Sequence, residues 1–298
     1  MPQMISGSTA LAGVLGDPVR HSLSPAMHNA ALEKLGLNWV YLAMPTSSEQ
    51  LAVVVKGLEG IDCRGLNVTL PHKQAVAGLC RSLSPLAQRV GAVNTLVRHQ
   101  QGGWLGENTD VEGFLAPLRS TEQNWQGQRA VILGCGGSAR AVVAALVELG
   151  CSSISMAGRS TDRLAALLST CHSWAPQLGG LEWTDGRTAL AEELALADLV
   201  VNTTPVGMAS AGNPDAARQS PLSPGELEAL QPSATVYDLI YTPRPTALLL
   251  EATRRGCRGL DGLEMLVQQG AASLRRWSGL EQVPVEAMRA AALAQLGT

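Results

Sequence analysis

Aromatic side chains are scarce in this chain: one Phe, three Tyr and six Trp make up 3% of 298 residues. Rings cannot fill a core at that level, so Ala, Leu and Val must, within an apolar share of 46%. Aliphatic cores of this kind suit helices layered on a parallel sheet, whose buried strands read as short branched runs. A basic excess is also missing. Lys and Arg number 22 against 25 Asp and Glu, a formal charge of −3, which argues against a nucleic-acid or anionic-membrane surface. No apolar run approaches the ~20 residues of a membrane-spanning helix. Near the amino end, Leu11 to Leu15 stops at Gly16-Asp17-Pro18 without a preceding basic patch, so no secretory signal is expected. The cysteines (63, 80, 135, 151, 171 and 257) form no Cys-x-x-Cys pair, and His21, His28 and His72 lack metal-ligand spacing. Reduced thiols in a cytoplasmic protein, with no bound metal, are the expectation.

At roughly 150 residues per domain the length accommodates two domains. The first hundred residues alternate aliphatic runs with helical patterns. Ser24-Pro25 reads as a helix start, Ser as N-cap and Pro in the first turn. Met27, Ala31 and Leu35 then share one face before Gly36 ends the helix. Ala92 to Val97 reads as a strand and Gly102-Gly103 as a turn. After Asp110 the character changes. The run Arg129 to Leu133, a glycine-rich turn, a helical pattern closed by Gly150, and runs at Ser153–Met156, 198–202 and Thr235–Leu239 alternate as in a doubly wound parallel sheet. Two helical patterns end the chain. Asp261 to Glu264 resembles a capping box for the first, and Pro284 a first-turn proline for the second.

Gly134, Cys135, Gly136, Gly137, Ser138 and Ala139 fit G-x-G-x-x-A between a strand and a helix. The first Gly permits the tight turn and the second lets backbone approach a pyrophosphate. The small third residue packs helix on strand, and free N–H groups meet the phosphate charge. The next strand ends at Gly158-Arg159-Ser160, with Arg163 following. An NAD site places an acidic residue there; a guanidinium instead favours the 2′-phosphate of NADP. Asp162 is near enough to keep NAD open.

Four polar clusters stand where packing alone would not put them. Ser22 and Ser24 beside a helix start can hold a carboxylate. Asn67, Thr69 and Lys73 alternate with apolar residues. Asn94-Thr95 interrupts an aliphatic run, and a buried Asn without partners costs about 1–3 kcal/mol. In Asn108-Thr109-Asp110, helix capping and catalysis are both open. Tyr237 alternates with core positions, whereas Tyr241 lies just past a strand end, where such sheets bind ligands. Gln269 shares a helix face with Met265.

Taken together these stretches resemble the shikimate dehydrogenase family. The matching stretches run from Gly16-Asp17-Pro18-Val19 and His21 to Pro25 through Met27-His28-Asn29, Asn67-Val68-Thr69 with Pro71 and Lys73, Gly91 to Thr95 and Gly106 to Asp110. The glycine turn, Asn202 to Met208, Tyr237 to Tyr241, and Gly262 to Val267 with Gln269 complete the set. The resemblance implies an α/β chain with a discontinuous substrate domain (1–109 plus 262–298), a Rossmann-like NADP domain (110–261) and a cleft between them. It implies NADPH-linked reduction of 3-dehydroshikimate to shikimate on the route to aromatic amino acids. Lys73 and Asp110 then form the catalytic pair. Ser22, Ser24 and Tyr241 contact carboxylate and ring, and Asn67, Thr69, Asn94 and Gln269 read hydroxyls. Gly134 to Ser138, Gly158, Arg159, Ser160, Arg163, Leu239 and Gly262 take the cofactor. The implied partners are small molecules, with no nucleic acid or membrane, and the assembly is a monomer or a homodimer. Two departures stand out: Gly158 replaces the family's Asn, losing a ribose contact, and the stretch from Ala209 to Gln219 is longer than usual.

Hydride delivery to a ketone builds negative charge on its oxygen. A lysine ammonium stabilises that oxygen and donates the proton it needs, with a carboxylate to orient it. The alternatives are a quinate/shikimate dehydrogenase using NAD and, from a different class, a non-catalytic NADP-binding sensor. Retention of both Lys73 and Asp110 favours an enzyme.

Overall fold

Aliphatic runs become strands and periodic stretches become helices in a computed structural model that describes residues 5–183, 189–209 and 214–297. The chain starts with β1 (Ala10–Gly16), α1 (Ser24–Leu35), β2 (Trp39–Pro45), α2 (Leu51–Gly60), β3 (Gly65–Val68), β4 (Ser82–Leu83), α3 (Pro85–Val90), β5 (Thr95–Arg98) and β6 (Trp104–Glu107). After α4 (Asp110–Arg119) come β7 (Arg129–Leu133), α5 (Gly137–Glu148), β8 (Ser153–Gly158), α6 (Thr161–Cys171), β9 (Leu178–Glu182) and α7 (Ala189–Leu194). Then follow β10 (Leu199–Asn202), α8 (Pro224–Glu228), β11 (Thr235–Asp238), α9 (Ala247–Arg254) and β12 (Arg258–Leu260). Helices α10 (Gly262–Ser278) and α11 (Val285–Leu296) close the chain.

Two units result: residues 1–113 with 266–298, and residues 114–265. The breaks fall about one helical turn beyond the expected limits of 109 and 261, because α4 and α10 start at those limits and continue.

The first unit holds a mixed sheet in the order β2-β1-β3-β5-β6-β4. Strand β1 runs parallel to β2 and β3, and β5 antiparallel to β3 and β6. Leu15, Val55, Leu66, Leu96 and Trp104 build its core. The Trp104 indole donates to the Val55 carbonyl at 3.1 Å; burying about 200 Å² of such a ring stabilises by about 5 kcal/mol. Trp277 of α10 occupies the place a Cβ on Gly65 would need, and its Nε1 donates to Leu96 O at 3.0 Å. That pins α10 across β3 and β5. His28 stacks on Tyr41 with centroids 4.2 Å apart, and Trp277 lies 5.4 Å from His28.

The second unit holds a wholly parallel sheet ordered β12-β11-β10-β7-β8-β9. The chain enters at its centre, steps outward on one side, then returns to the other, so the strand order reverses between β7 and β10. Val131, Leu133, Val200, Val236 and Leu248 form the core. The single Phe, Phe114, stacks on the buried Tyr237 at 4.9 Å.

Three local expectations are corrected. Leu23 and not Ser24 takes the cap position of α1, with helical backbone (φ −77°, ψ −13°), and Ser22 Oγ accepts the Ser24 N–H at 3.2 Å. Strand β5 begins at Thr95, because the Val93 N–H turns away to the Lys73 carbonyl at 2.7 Å. Pro284 precedes α11 as its cap (ψ 73°), one position earlier than a first-turn proline.

Candidate active site

Strand register begins the site. Asn67 on β3 faces Thr95 on β5, which brings its Nδ2 to 3.2 Å from both Thr95 Oγ1 and the Asn94 carbonyl. Asn108 settles the start of α4: its Oδ1 accepts the N–H groups of Asp110 and Val111 at 3.1 and 3.4 Å. Capping is therefore the work of Asn108, and the Asp110 side chain is left for other partners.

Lys73 Nζ donates to Asp110 Oδ2 at 2.6 Å, with the two side chains 14% and 7% exposed. The other carboxylate oxygen accepts from Asn94 Nδ2 at 2.9 Å. Asn94 is itself oriented, because its Oδ1 accepts the Thr109 N–H at 2.7 Å. One amide thus braces the acid, and the acid anchors the ammonium through one of its three donors. Gln269 Oε1 accepts from Asn94 Nδ2 at 3.3 Å. Asn67 and Asn94 are expected to read substrate hydroxyls, yet both are already bound to protein partners, so they first serve a buried polar network.

Two members of that network escaped the sequence reading. Tyr41 donates to Asn67 Oδ1 at 2.8 Å, and Ser273 Oγ accepts from Asn67 Nδ2 at 2.9 Å. The available signal for Ser273 was its place one turn after Gln269, amid the apolar run of α10. Burial raises the Tyr41 hydroxyl pKa well above its ordinary value, and the Ser24 side chain beside it opposes that shift. Ser24 is buried in this network, while Ser22 and Thr69 are half-buried. The Thr69 methyl sits where a Cβ on Gly16 would be.

In the second unit, Gly134 ends β7 at φ +99°, and a Cβ there would come within 2.8 Å of Thr204 Cγ2 and 2.9 Å of Thr203 Oγ1. Beyond it the backbone opens. A Cβ on Gly136 or Gly137 would meet nothing within 4 Å, and the α5 cap Gly136 has no capping side chain. Free N–H groups facing open space at a helix start suit a pyrophosphate. Cys135 and Ser138 flank them, half-exposed. Buried Ala139 lets α5 pack closely on the sheet.

Gly158 ends β8, with Cys135 Sγ 3.2 Å from where its Cβ would be. Arg159 and Arg163 are exposed. Ser160 caps α6, its oxygen accepting the Arg163 N–H at 3.5 Å. A cleft of about 690 Å³ is lined by Arg159, Trp183, Thr204, Val206 and residues 219–224, a volume suited to a nucleotide moiety. Residues 210–213 of the long Ala209–Gln219 stretch lie outside the described residues.

Asp238, not singled out in the sequence, ties this end of the sheet together. Its carboxylate accepts from Asn202 Nδ2 (2.9 Å), Thr246 Oγ1 (2.7 Å) and the Ile240 N–H (3.2 Å). Burial pushes its pKa up, against those bonds. Asn202 Oδ1 in turn accepts from Thr204 N and Oγ1 at 3.0 and 2.7 Å. Gly262 presses on the Leu239 backbone where a side chain could not fit, and donates to Ile240 O at 3.1 Å. Tyr241 is half-buried, and burial raises its pKa. Asp261 Oδ1 accepts the Leu263 N–H at 3.0 Å, while its other oxygen pairs with Arg244 at 2.7 Å.

A doubly wound sheet with an open glycine turn, and a braced lysine–carboxylate pair, define a dinucleotide-linked oxidoreductase. Residues 14–96 match the shikimate dehydrogenase substrate binding domain, and residues 262–293 the shikimate 5′-dehydrogenase C-terminal domain. Shikimate dehydrogenase (NADP(+)) of a Synechocystis species is 49% identical, with 98% of each chain covered. The solved shikimate 5-dehydrogenase of Thermus thermophilus, in complex with NADP(H) and shikimate, is 37% identical with TM-score 0.83, covering 97% of this chain and 100% of that one. Quinate dehydrogenase of Corynebacterium glutamicum, in complex with NAD, is 32% identical with TM-score 0.85, covering 96% and 99%. The chain belongs to the shikimate dehydrogenase family.

Proposed function

We infer that the chain is an NADP-linked shikimate dehydrogenase, interconverting 3-dehydroshikimate and shikimate on the route to aromatic amino acids. The observation that carries this is the buried Lys73–Asp110 contact of 2.6 Å, braced by Asn94. NADPH held at the glycine turn would supply the hydride for the substrate's carbonyl carbon. Lys73 stabilises the negative charge growing on the carbonyl oxygen and donates a proton to it, leaving an alcohol; in oxidation it takes that proton back. Asp110 holds the ammonium in place. Ser22, Ser24 and Tyr241 take the carboxylate and ring, and Asn67, Thr69, Asn94 and Gln269 the hydroxyls. The N–H groups of Gly136 to Ser138 would receive the pyrophosphate and Arg159 the 2′-phosphate, with Gly134, Cys135, Gly158, Ser160, Arg163, Leu239 and Gly262 around them. Six free thiols accord with a cytoplasmic setting.

The test is absorbance at the reduced-nicotinamide band with shikimate and NADP, repeated with quinate and with NAD. Fast NADP reduction by shikimate supports the reading; inertness toward all four combinations refutes it. The second reading, a quinate-accepting NAD enzyme, is favoured by Gly158, which offers the adenosine ribose no side chain. Faster turnover of quinate with NAD would establish it.

A further inference from the structure

We propose that Ser273 is a positioning residue for the substrate half of this reaction, serving as the shared hydrogen-bond partner that sets the substrate-reading side chains relative to one another. The inference rests on the shikimate dehydrogenase reading above. Ser273 lies on α10 one turn after Gln269, and its hydroxyl donates to the Gln269 carbonyl at 3.0 Å. With its proton spent there, its oxygen can only accept. Asn67 Nδ2 donates to it at 2.9 Å, and the hydroxyls of Thr95 and Thr109 lie 2.8 and 3.2 Å away. Those two threonines are also 3.1 Å from each other, so the three hydroxyls form a triangle of close distances in which, with the Ser273 proton on Gln269, the two threonine protons serve at most two of the three sides. All three residues are fully buried.

The corners come from β5, from the residue just before α4 and from α10, and each neighbours a different site residue. Thr95 follows Asn94, Thr109 precedes Asp110, and Ser273 rides on the helix that carries Gln269. Asn67 completes the set from β3. The triangle therefore measures off the spacing between Asn67, Asn94, Asp110 and Gln269. Among the described residues the three hydroxyls make no hydrogen bond with Lys73, whose ammonium is held by Asp110. Removing the Ser273 oxygen frees the Asn67 amide to swing toward its weaker partners, the Asn94 carbonyl and Thr95 Oγ1, each at 3.2 Å. Asn67 then presents the wrong atom, or the right atom in the wrong place, to a substrate hydroxyl.

The experiment is steady-state kinetics of the full chain as Ser273→Ala, varying shikimate at saturating NADP and NADP at saturating shikimate. The KM for shikimate should rise about tenfold, equivalent to about 1.4 kcal/mol, while the KM for NADP stays within about twofold. Thr95→Val, which deletes a second corner, should act in the same direction, and Thr95→Ser should restore the wild-type KM. An unchanged shikimate KM overturns the proposal, as do a parallel rise in both KM values and a failure of Ser273→Ala to fold. A wild-type enzyme inert toward shikimate overturns the underlying reading as well; an active wild type with an unaltered variant overturns this inference alone.

Discussion

His28 should make the first unit acid-sensitive. Its ring is fully buried, it stacks on Tyr41 at 4.2 Å, and neither ring nitrogen has a partner among the described residues. Burial lowers its pKa from 6.5 to about 3, because a charged imidazolium there would have neither water nor a counter-charge. Above pH 6.5 the folded and unfolded chains both carry the neutral ring, so the stability is intact. Below it the unfolded chain takes up a proton that the folded chain refuses, and stability falls as pH drops from 6.5 toward 3. The difference between those two pKa values gives a loss of about 2 kcal/mol at about pH 5, and about 4 kcal/mol by about pH 3. Urea unfolding followed by tryptophan fluorescence suits the test, since Trp277 is 5.4 Å from the ring. With a slope near 2 kcal/mol per molar, the wild-type midpoint should fall by about 1 M more between about pH 7.5 and pH 5 than that of His28→Phe. Equal falls in the two proteins would refute the reasoning.

Three other outcomes follow from the site. Lys73→Ala should lower kcat by about 10²–10⁴-fold, the usual range for a lost general acid, with a smaller effect on shikimate binding measured by calorimetry. Arg159→Ala should raise the KM for NADPH about tenfold or more and leave NADH use unchanged, because only the former carries the 2′-phosphate; matched kinetics with the two coenzymes decide. Gly134→Ala combines a φ of +99° with contacts of 2.8 and 2.9 Å to Thr204 and Thr203. It should cost about 1–3 kcal/mol in thermal or urea unfolding and weaken NADP binding.

Local chemistry made part of this legible in the sequence. The glycine turn, the aliphatic strands and Gly36 are set by residues close together in the chain, and Lys73, Asn94 and Asp110 stood out as polar residues where packing would not place them. Ser22 and Ser24 were harder, since whether a serine caps α1 depends on the backbone angles of Leu23, which takes the cap position itself, and no residue pattern specifies those. Tyr41 and Ser273 were invisible for a different reason. Their importance lies in bonds to Asn67, and Ser273 is 206 positions away from it; only strand register and the docking of α10 bring the three together. Asp238 was hidden inside a run whose alternation reads as plain core.

Because Trp277 fills the hollow at Gly65 and Ser273 completes the polar triangle, the first unit borrows its last pieces from the far end of the polypeptide. A ribosome emits residues 266–298 only after the whole of 114–265 has emerged. During synthesis the nucleotide-type sheet can therefore mature first, while His28, Tyr41 and Asn67 wait for their lid. A chain cut short after residue 265 would carry the whole of the second unit and an exposed, sticky half-core in the first, the kind of fragment that chaperones hold and proteases clear.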